Sequence, residues 1–330
     1  MISLKIDSSL PKAYYKLINT SEGNYKSVSN KLQSLINSKV LVNPNDIDIQ
    51  VLRDIKKKLK KIIVGSPKHL ESLIKNFEDE GYQNLIYDPV KEELTALGKE
   101  IKNKFNYKSF RQSKKANWLA TKLNVKSCTS CNTQYTLSTT KKSLFHFDHY
   151  FPQSIYPYLS LSYYNLIPCC ANCNMSKSNK KFLLKDNIHP YLEGFNDVAE
   201  FQIEKENLLE FLINPNKNEV LIKSKLELRA KYFGNQQYEA KLENYIKEFR
   251  IAEQYGQFND VVAEMYLKSR YYDKSRRNEL RDFFKSKNII VSDELIRRFI
   301  IGNYTQDKDL LKRPLAKFMK DIGKGVGLIK

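Results

Sequence analysis

Histidine and cysteine are scarce in this chain: of its 330 residues four are histidine and five cysteine, beside a single tryptophan. A secreted, disulfide-built domain spreads more cysteines over a shorter chain, so that class is excluded. Long apolar runs are also missing. The richest patch, Lys61-Ile62-Ile63-Val64, is far too short to span a bilayer, so no membrane association is expected. The opening residues, MISLKIDSSLPKAYY, hold neither an apolar h-region nor a small-residue cleavage site, so no signal peptide is expected and the expected compartment is the cytoplasm. No G-x-x-x-x-G-K-S/T loop occurs, so any nucleotide-driven control has to come from another protein. Acid is short as well, with 37 Asp+Glu against 56 Lys+Arg and a formal net charge of +19. Such a surplus favours polyanions, and nucleic acid is the expected partner, although lysine-rich composition also follows from AT-rich coding.

The pattern along the chain predicts a mainly α protein with a small α+β core. Residues 1–125 read as a helical N-terminal region. Ile47, Val51, Ile55, Leu59 and Ile62 fall at spacings of four and three, one apolar stripe among lysines. Ser66-Pro67 is a helix-start signal before Leu70, Leu73, Ile74 and Phe77. Further helices are expected over 89–105 and 109–123. The character changes over 126–195, where residues 144–149 alternate with strand period, 164–167 suit a second short strand, and 171–183 suit a helix. The last part, 196–330, opens with expected strands at 200–203 and 219–223. It then returns to helices over 235–254, 258–270, 274–286, 292–301 and 307–321.

All five cysteines lie in the middle region. Cys128-Thr-Ser-Cys131 and Cys170-Ala-Asn-Cys173 are two C-x2-C knuckles, each able to offer two thiolates to one tetrahedral ion. Four thiolates make a closed structural zinc site; the alternative is a set of reduced core cysteines. Cys169 has the wrong spacing to join them and is expected to be a buried small residue. Between the knuckles stands Asp148-His149. A carboxylate beside an imidazole suits divalent-metal hydrolysis, the carboxylate holding Mg²⁺ while the imidazole deprotonates water. The plainer reading is a core histidine beside a carboxylate, and the nearby Asn165, Asn174 and Lys177 argue against it. From Lys114 to Glu193 ten lysines face three acidic residues, one of them Asp148, which suits a surface for a phosphodiester backbone.

These residues also carry a resemblance. "FDHYFPQS" (147–154) and "YYNLIPCCANCNMSKSNK" (163–180) resemble the motifs of HNH endonucleases, the ββα-metal nucleases, in their zinc-bearing form. The resemblance implies His149 as general base, Asp148 as a ligand of the catalytic Mg²⁺ or Mn²⁺, and Asn165 as the residue that orients the histidine. Asn174 stands where many members have a final histidine, and the likeness makes it a second ligand of that ion. Lys177 would face the scissile phosphate, with Lys180 and Lys181 beside it as nucleic-acid contacts. A wider likeness, through "HPYLEGF" (189–195) and "LKRPLAKFMKDIG" (311–323), is to HNH nucleases of Septu- and retron-type anti-phage defence operons. It implies a P-loop ATPase partner from the same operon. In that likeness His189 is structural. Strand alternation puts His146 on the face of Asp148, where it could support that carboxylate, and His69 is expected on a helix surface.

The expected function is therefore metal-dependent hydrolysis of DNA. One such site nicks one strand, so a double-strand break needs two passes or a homo-oligomer. RNA or tRNA as substrate, and a zinc-finger nucleic-acid-binding protein without catalysis, are the alternatives.

Overall fold

The computed structural model describes residues 1–5, 7–21, 26–139, 144–204, 206 and 223–329. They are mainly helical, with small two-stranded sheets. They divide into two compact units whose borders differ from the three consecutive segments read from the sequence. The first unit is Leu4–Val125 with Thr136–Leu192, and the second is Met1–Ser3, Lys126–Tyr135 and Glu193–Lys330. Hydrogen bonds explain part of this interleaving. Ile2 N donates to Thr129 O at 2.8 Å and Phe195 N to Met1 O at 2.8 Å, so the chain start and the first knuckle belong with the C-terminal part.

In the first unit, helices α1 (Leu10–Asn19), α2 (Val28–Val42), α3 (Ile47–Lys57), α4 (Leu59–Val64), α5 (Pro67–Asp79) and α6 (Tyr82–Ile86) come first. The apolar stripe expected over 47–62 is buried at Val51, Ile55, Leu59 and Ile62, but the helix breaks at Lys58. Instead of helix from residue 89, a hairpin of β1 (Tyr87–Asp88) and β2 (Glu93–Leu94) precedes α7 (Ala96–Phe105). Asp88 Oδ1 caps the turn by accepting from Val90 N and Lys91 N, and Thr95 caps the helix. Gly98 is required there, because a Cβ would stand 2.0 Å from Ile86 O. The helix expected over 109–123 is two, α8 (Tyr107–Arg111) and α9 (Lys114–Leu123). Strands β3 (His146–His149) and β4 (Leu166–Cys169) pair antiparallel, with Asp148 opposite Ile167, and α10 (Ala171–Lys177) follows directly.

The long connection between β3 and β4 is held from outside by the helices. Tyr14 OH donates to Leu161 O at 3.1 Å, and its ring meets Phe110 and Tyr163 edge-on. Gln83 Nε2 donates to Ile155 O at 2.9 Å and accepts Tyr158 OH through Oε1 at 3.1 Å. Ser162 Oγ donates to Ile62 O. The buried helical layer therefore sets the shape of a loop that is itself irregular.

The second unit starts with α11 (Phe195–Val198) and the antiparallel pair β5 (Ala199–Ile203) and β6 (Ser224–Leu228). The expected strand at 219–223 lies outside the described residues except for Lys223. Helices α12 (Gln236–Glu248), α13 (Ile251–Tyr255), α14 (Asn259–Tyr271), α15 (Lys274–Ser286) and α16 (Asp293–Ile301) follow. The helix expected over 307–321 is a 3-10 turn, Asp307–Lys312, and then α17 (Ala316–Gly325), because Pro314 interrupts the pattern. A buried Lys317–Asp321 pair ties α17 to β5: Lys317 Nζ donates to Ala199 O at 2.7 Å, and Asp321 Oδ2 accepts from Phe201 N at 3.1 Å.

Candidate active site and metal centre

The first knuckle is a tight turn closed by Cys128 N donating to Gln134 O at 2.9 Å and Asn132 N to Cys128 O at 2.8 Å. Asn132 takes a left-handed conformation, φ 59°, that asparagine tolerates. Its side chain donates to Ser127 Oγ and Leu310 O, fixing the turn in its unit. Tyr245 OH and Tyr255 OH donate to Ser130 O and Cys131 O at 2.5 and 2.6 Å. The Cys131 sulfur accepts from Thr133 N at 3.4 Å, and Thr133 Oγ1 lies 2.8 Å from Gln254 Oε1 and 3.1 Å from that sulfur. In the second knuckle Cys170 is the N-cap of α10, its sulfur accepting from Cys173 N at 3.5 Å.

The sulfur atoms of Cys128, Cys131, Cys170 and Cys173 all lie within 4.8 Å of one another, and all four residues are buried. Four thiol-bearing side chains in one buried place are the donor set that tetrahedral zinc takes, and its ~3.8 Å sulfur spacing lies inside that limit. These four residues could hold a metal ion such as zinc. Cys169 is buried and faces His146 across the hairpin; burial pushes its thiol well up, and the Asp148 charge adds to that.

His149 ends β3 with its ring buried. Its Nε2 lies 2.9 Å from Ser160 O. A carbonyl can only accept, so Nε2 carries the hydrogen and the lone pair of the neutral ring sits on Nδ1. Burial lowers its pKa to about 4; the Ser160 carbonyl opposes this, and the Lys177 and Lys102 charges add to it. The Tyr107 ring meets the imidazole edge-on, centroids 4.4 Å apart, while Tyr107 OH donates to Phe147 O at 3.0 Å. Burial raises the Tyr107 phenol far above its usual range.

Asn165 is wholly buried and ties the loop together. Its Oδ1 accepts from Phe151 N at 2.7 Å, and Nδ2 donates to Phe151 O and Leu159 O, both at 3.0 Å. Leu159 precedes Ser160, so this amide anchors the chain one residue before the carbonyl that His149 Nε2 meets.

Lys177 takes a different place from the expected one. Its side chain is 0% exposed, with Nζ donating to His149 O at 2.5 Å and standing 3.5 Å from Asp148 Oδ1. It also lies 5.0 Å above the Phe182 ring. A side chain so enclosed cannot reach a nucleic-acid backbone, because the buried Asp148 carboxylate and the His149 carbonyl draw the ammonium inward. Asn174, half-buried, is one turn earlier on the same helix face. Lys180 and Lys181 are exposed, and Lys181 pairs with Glu78 at 3.0 Å.

The remaining histidines separate clearly. His146 is exposed and held below its usual pKa by partial burial and by Arg111. His69 is exposed at a helix start, with Ser66 Oγ 2.8 Å from its Nδ1. His189 is fully buried, its ring 4.2 Å from that of Tyr150, and burial lowers its pKa to about 3. Tyr107 and the Ser160 carbonyl were not singled out from the sequence. No local pattern connects residue 107 to residue 149, and a backbone acceptor leaves no side-chain signature.

Among the described residues no helix is long and apolar enough to cross a membrane. No family model matches the chain, and no curated protein or solved structure matches it.

Proposed function

We propose that this chain is a metal-dependent HNH endonuclease that hydrolyses DNA phosphodiester bonds, with β3, β4 and α10 as its ββα unit. The observation that carries the reading is the His149 imidazole, its Nε2 bonded to Ser160 O and its Nδ1 left as a base, next to the buried Asp148 carboxylate. The Asp148 carboxylate and the Asn174 amide offer oxygen donors, which suit a hard cation. Lys177 Nζ stays 3.5 Å from Asp148 Oδ1, longer than a charge-assisted hydrogen bond, and balances the carboxylate charge. Asp148 and Asn174 would hold Mg²⁺ or Mn²⁺, which when bound supplies charge stabilisation to the phosphate oxygens.

The chain's own residues do the rest. His149 Nδ1 takes a proton from water as the water oxygen bonds to phosphorus. The bond to the 3′ oxygen breaks, and that oxygen is protonated from solvent. Asn165 anchors the loop at Leu159, one residue before the Ser160 carbonyl that would keep the base in its working tautomer. The net charge of +19 supports a nucleic-acid substrate. The likeness to anti-phage nucleases extends the proposal to a cytoplasmic defence effector working with a P-loop ATPase.

The test incubates plasmid and total RNA separately with Mg²⁺, Mn²⁺ or EDTA. Plasmid nicking with either ion and none in EDTA is expected. His149→Ala should lose about 10²–10⁴-fold in rate, the usual share of a positioned base. Asp148→Ala should recover in part with raised Mn²⁺, which should not rescue His149→Ala. Wild-type cleavage by His149→Ala overturns the reading. Cleavage confined to RNA moves the substrate, and metal-independent binding without cleavage of either leaves a zinc-finger binding protein.

A further inference from the structure

The second unit contains a cluster of cations that the proposed chemistry leaves unused. Three of them surround one tyrosine. The Arg298 guanidinium lies 4.8 Å from the Tyr304 ring centroid, the Lys312 ammonium 5.4 Å and the Arg313 guanidinium 5.5 Å. Each contact alone is favourable, but three like charges on one ring repel one another. Asp309 pairs with Lys312 at 2.8 Å. Among the described residues no carboxylate pairs with Arg298 or Arg313. Arg313 Nη1 donates to Gly302 O at 3.1 Å, at the C-terminus of α16, where the helix presents about half a negative charge. One carboxylate and that half charge leave more than one positive charge uncompensated.

The platform beneath these cations is fixed. Tyr304 packs against the buried cluster of Ile2, Leu310 and Ala316. Tyr304 N donates to Asn303 Oδ1 at 2.8 Å, and Asn303 Nδ2 donates to Pro314 O at 2.7 Å, which braces the loop across its base. Gly302 supplies the left-handed turn, φ 84°, that brings the loop back over the helix end. Arg298 is half-buried, while Lys312 and Arg313 are exposed, so the outer side of the trio is open. Guanidinium forks match phosphate oxygens in pairs, and a fork held on an aromatic face loses little freedom on binding.

We propose that Arg298, Lys312 and Arg313, seated on Tyr304, bind phosphate groups of a nucleic-acid backbone and give the protein a second anchor on that polymer. A polyanion is favoured over free phosphate because the net charge of +19 attracts the whole chain and binding releases its counterions. The proposal takes its ligand class from the proposed function, but it requires no cleavage.

The test measures binding of a short labelled DNA duplex in EDTA across a salt series. Wild type is compared with Arg298→Ala/Arg313→Ala and with a control, Lys268→Ala/Arg276→Ala, that removes two cations already paired with Glu264 and Glu279. The platform variant should lose at least about tenfold in affinity, and its log–log salt slope should shrink by about 2. The control should change little. Arg298→Lys/Arg313→Lys keeps the charge without the forks and should lose part of the affinity but none of the slope, so the proposal stays testable if the alanine variant misfolds. Equal affinity and slope in wild type and platform variant, or an equal loss in the control, overturns the proposal. Inorganic phosphate is the comparison ligand. If it binds wild type as tightly as the duplex does, and the platform variant loses both equally, the site is for a free anion and the nucleic-acid assignment falls. Binding with the expected slope but no cleavage would sink the nuclease reading alone, whereas cleavage with an unaltered platform variant would sink this one alone.

Discussion

Lys177 joins two groups that the proposed reaction would need in register, the carboxylate of Asp148 and the backbone of His149. A phosphate-facing lysine and a buried positioning lysine respond differently to substitution. Removing an exposed cation weakens nucleic-acid binding and leaves melting unchanged. Removing the cation of a buried pair leaves a desolvated carboxylate behind and costs roughly 3–5 kcal/mol. Lys177→Met preserves length and apolar bulk, so it separates the two. We expect a clear drop in melting temperature and loss of cleavage, with duplex affinity per folded molecule near wild type. Unchanged melting together with weaker DNA binding would return Lys177 to the surface role implied by the resemblance.

At the scale of elements, the knuckles and the first strand of the hairpin were legible because their signals are local, whereas the second strand, expected over 164–167, is Leu166–Cys169. C-x2-C spacing is readable residue by residue, and the alternation ending at Asp148-His149 marks a strand. The end of α10 was not legible. The pattern allowed a helix to residue 183, but the chain leaves it after Lys177 through Ser178, φ 49°. Phe182 must return to meet the Tyr150 ring at 5.5 Å and to lie beneath Lys177, a tertiary demand with no local trace. The knuckles carry their own expectation. Losing one of four thiolates opens a structural zinc site, and such zinc contributes on the order of 10 kcal/mol in small modules. Cys131→Ser or Cys173→Ser should lower bound zinc and melting temperature together, read by elemental analysis and thermal melting on the same sample. A full equivalent of zinc in either soluble variant would exclude the four-cysteine assignment.

For the whole molecule, burial of two neutral histidines ties stability to pH. In the unfolded chain His149 and His189 take up protons near pH 6.5, whereas burial keeps them neutral to about 4 and about 3 in the fold. Between those values the unfolded state binds more protons, so acid favours unfolding. Their contribution is complete above pH 6.5 and is lost as pH falls toward 4 and below. At pH 5 each imidazole should cost about 2 kcal/mol of the stability held at neutral pH. His189→Asn removes one titration and keeps an acceptor for Tyr191 N. Its melting temperature should therefore fall less than that of wild type between pH 7 and pH 5. Equal falls would mean that His189 does not contribute to the acid sensitivity.

The sequence by itself determined the chemistry on offer: which residues can bind a soft or a hard ion, which can act as a base, and the charge that attracts a polyanion. Side-chain identity and short spacing carry all of that. Tertiary structure decided where the groups sit and what they touch. Which nitrogen of His149 holds the proton depends on a carbonyl eleven residues away, in the loop that Asn165 ties at Leu159. Whether Lys177 meets solvent depends on Asp148 and Phe182, and whether three cations converge depends on where Tyr304 packs. Burial and partnership come from contacts between segments distant in the chain, and no window along the sequence contains both partners.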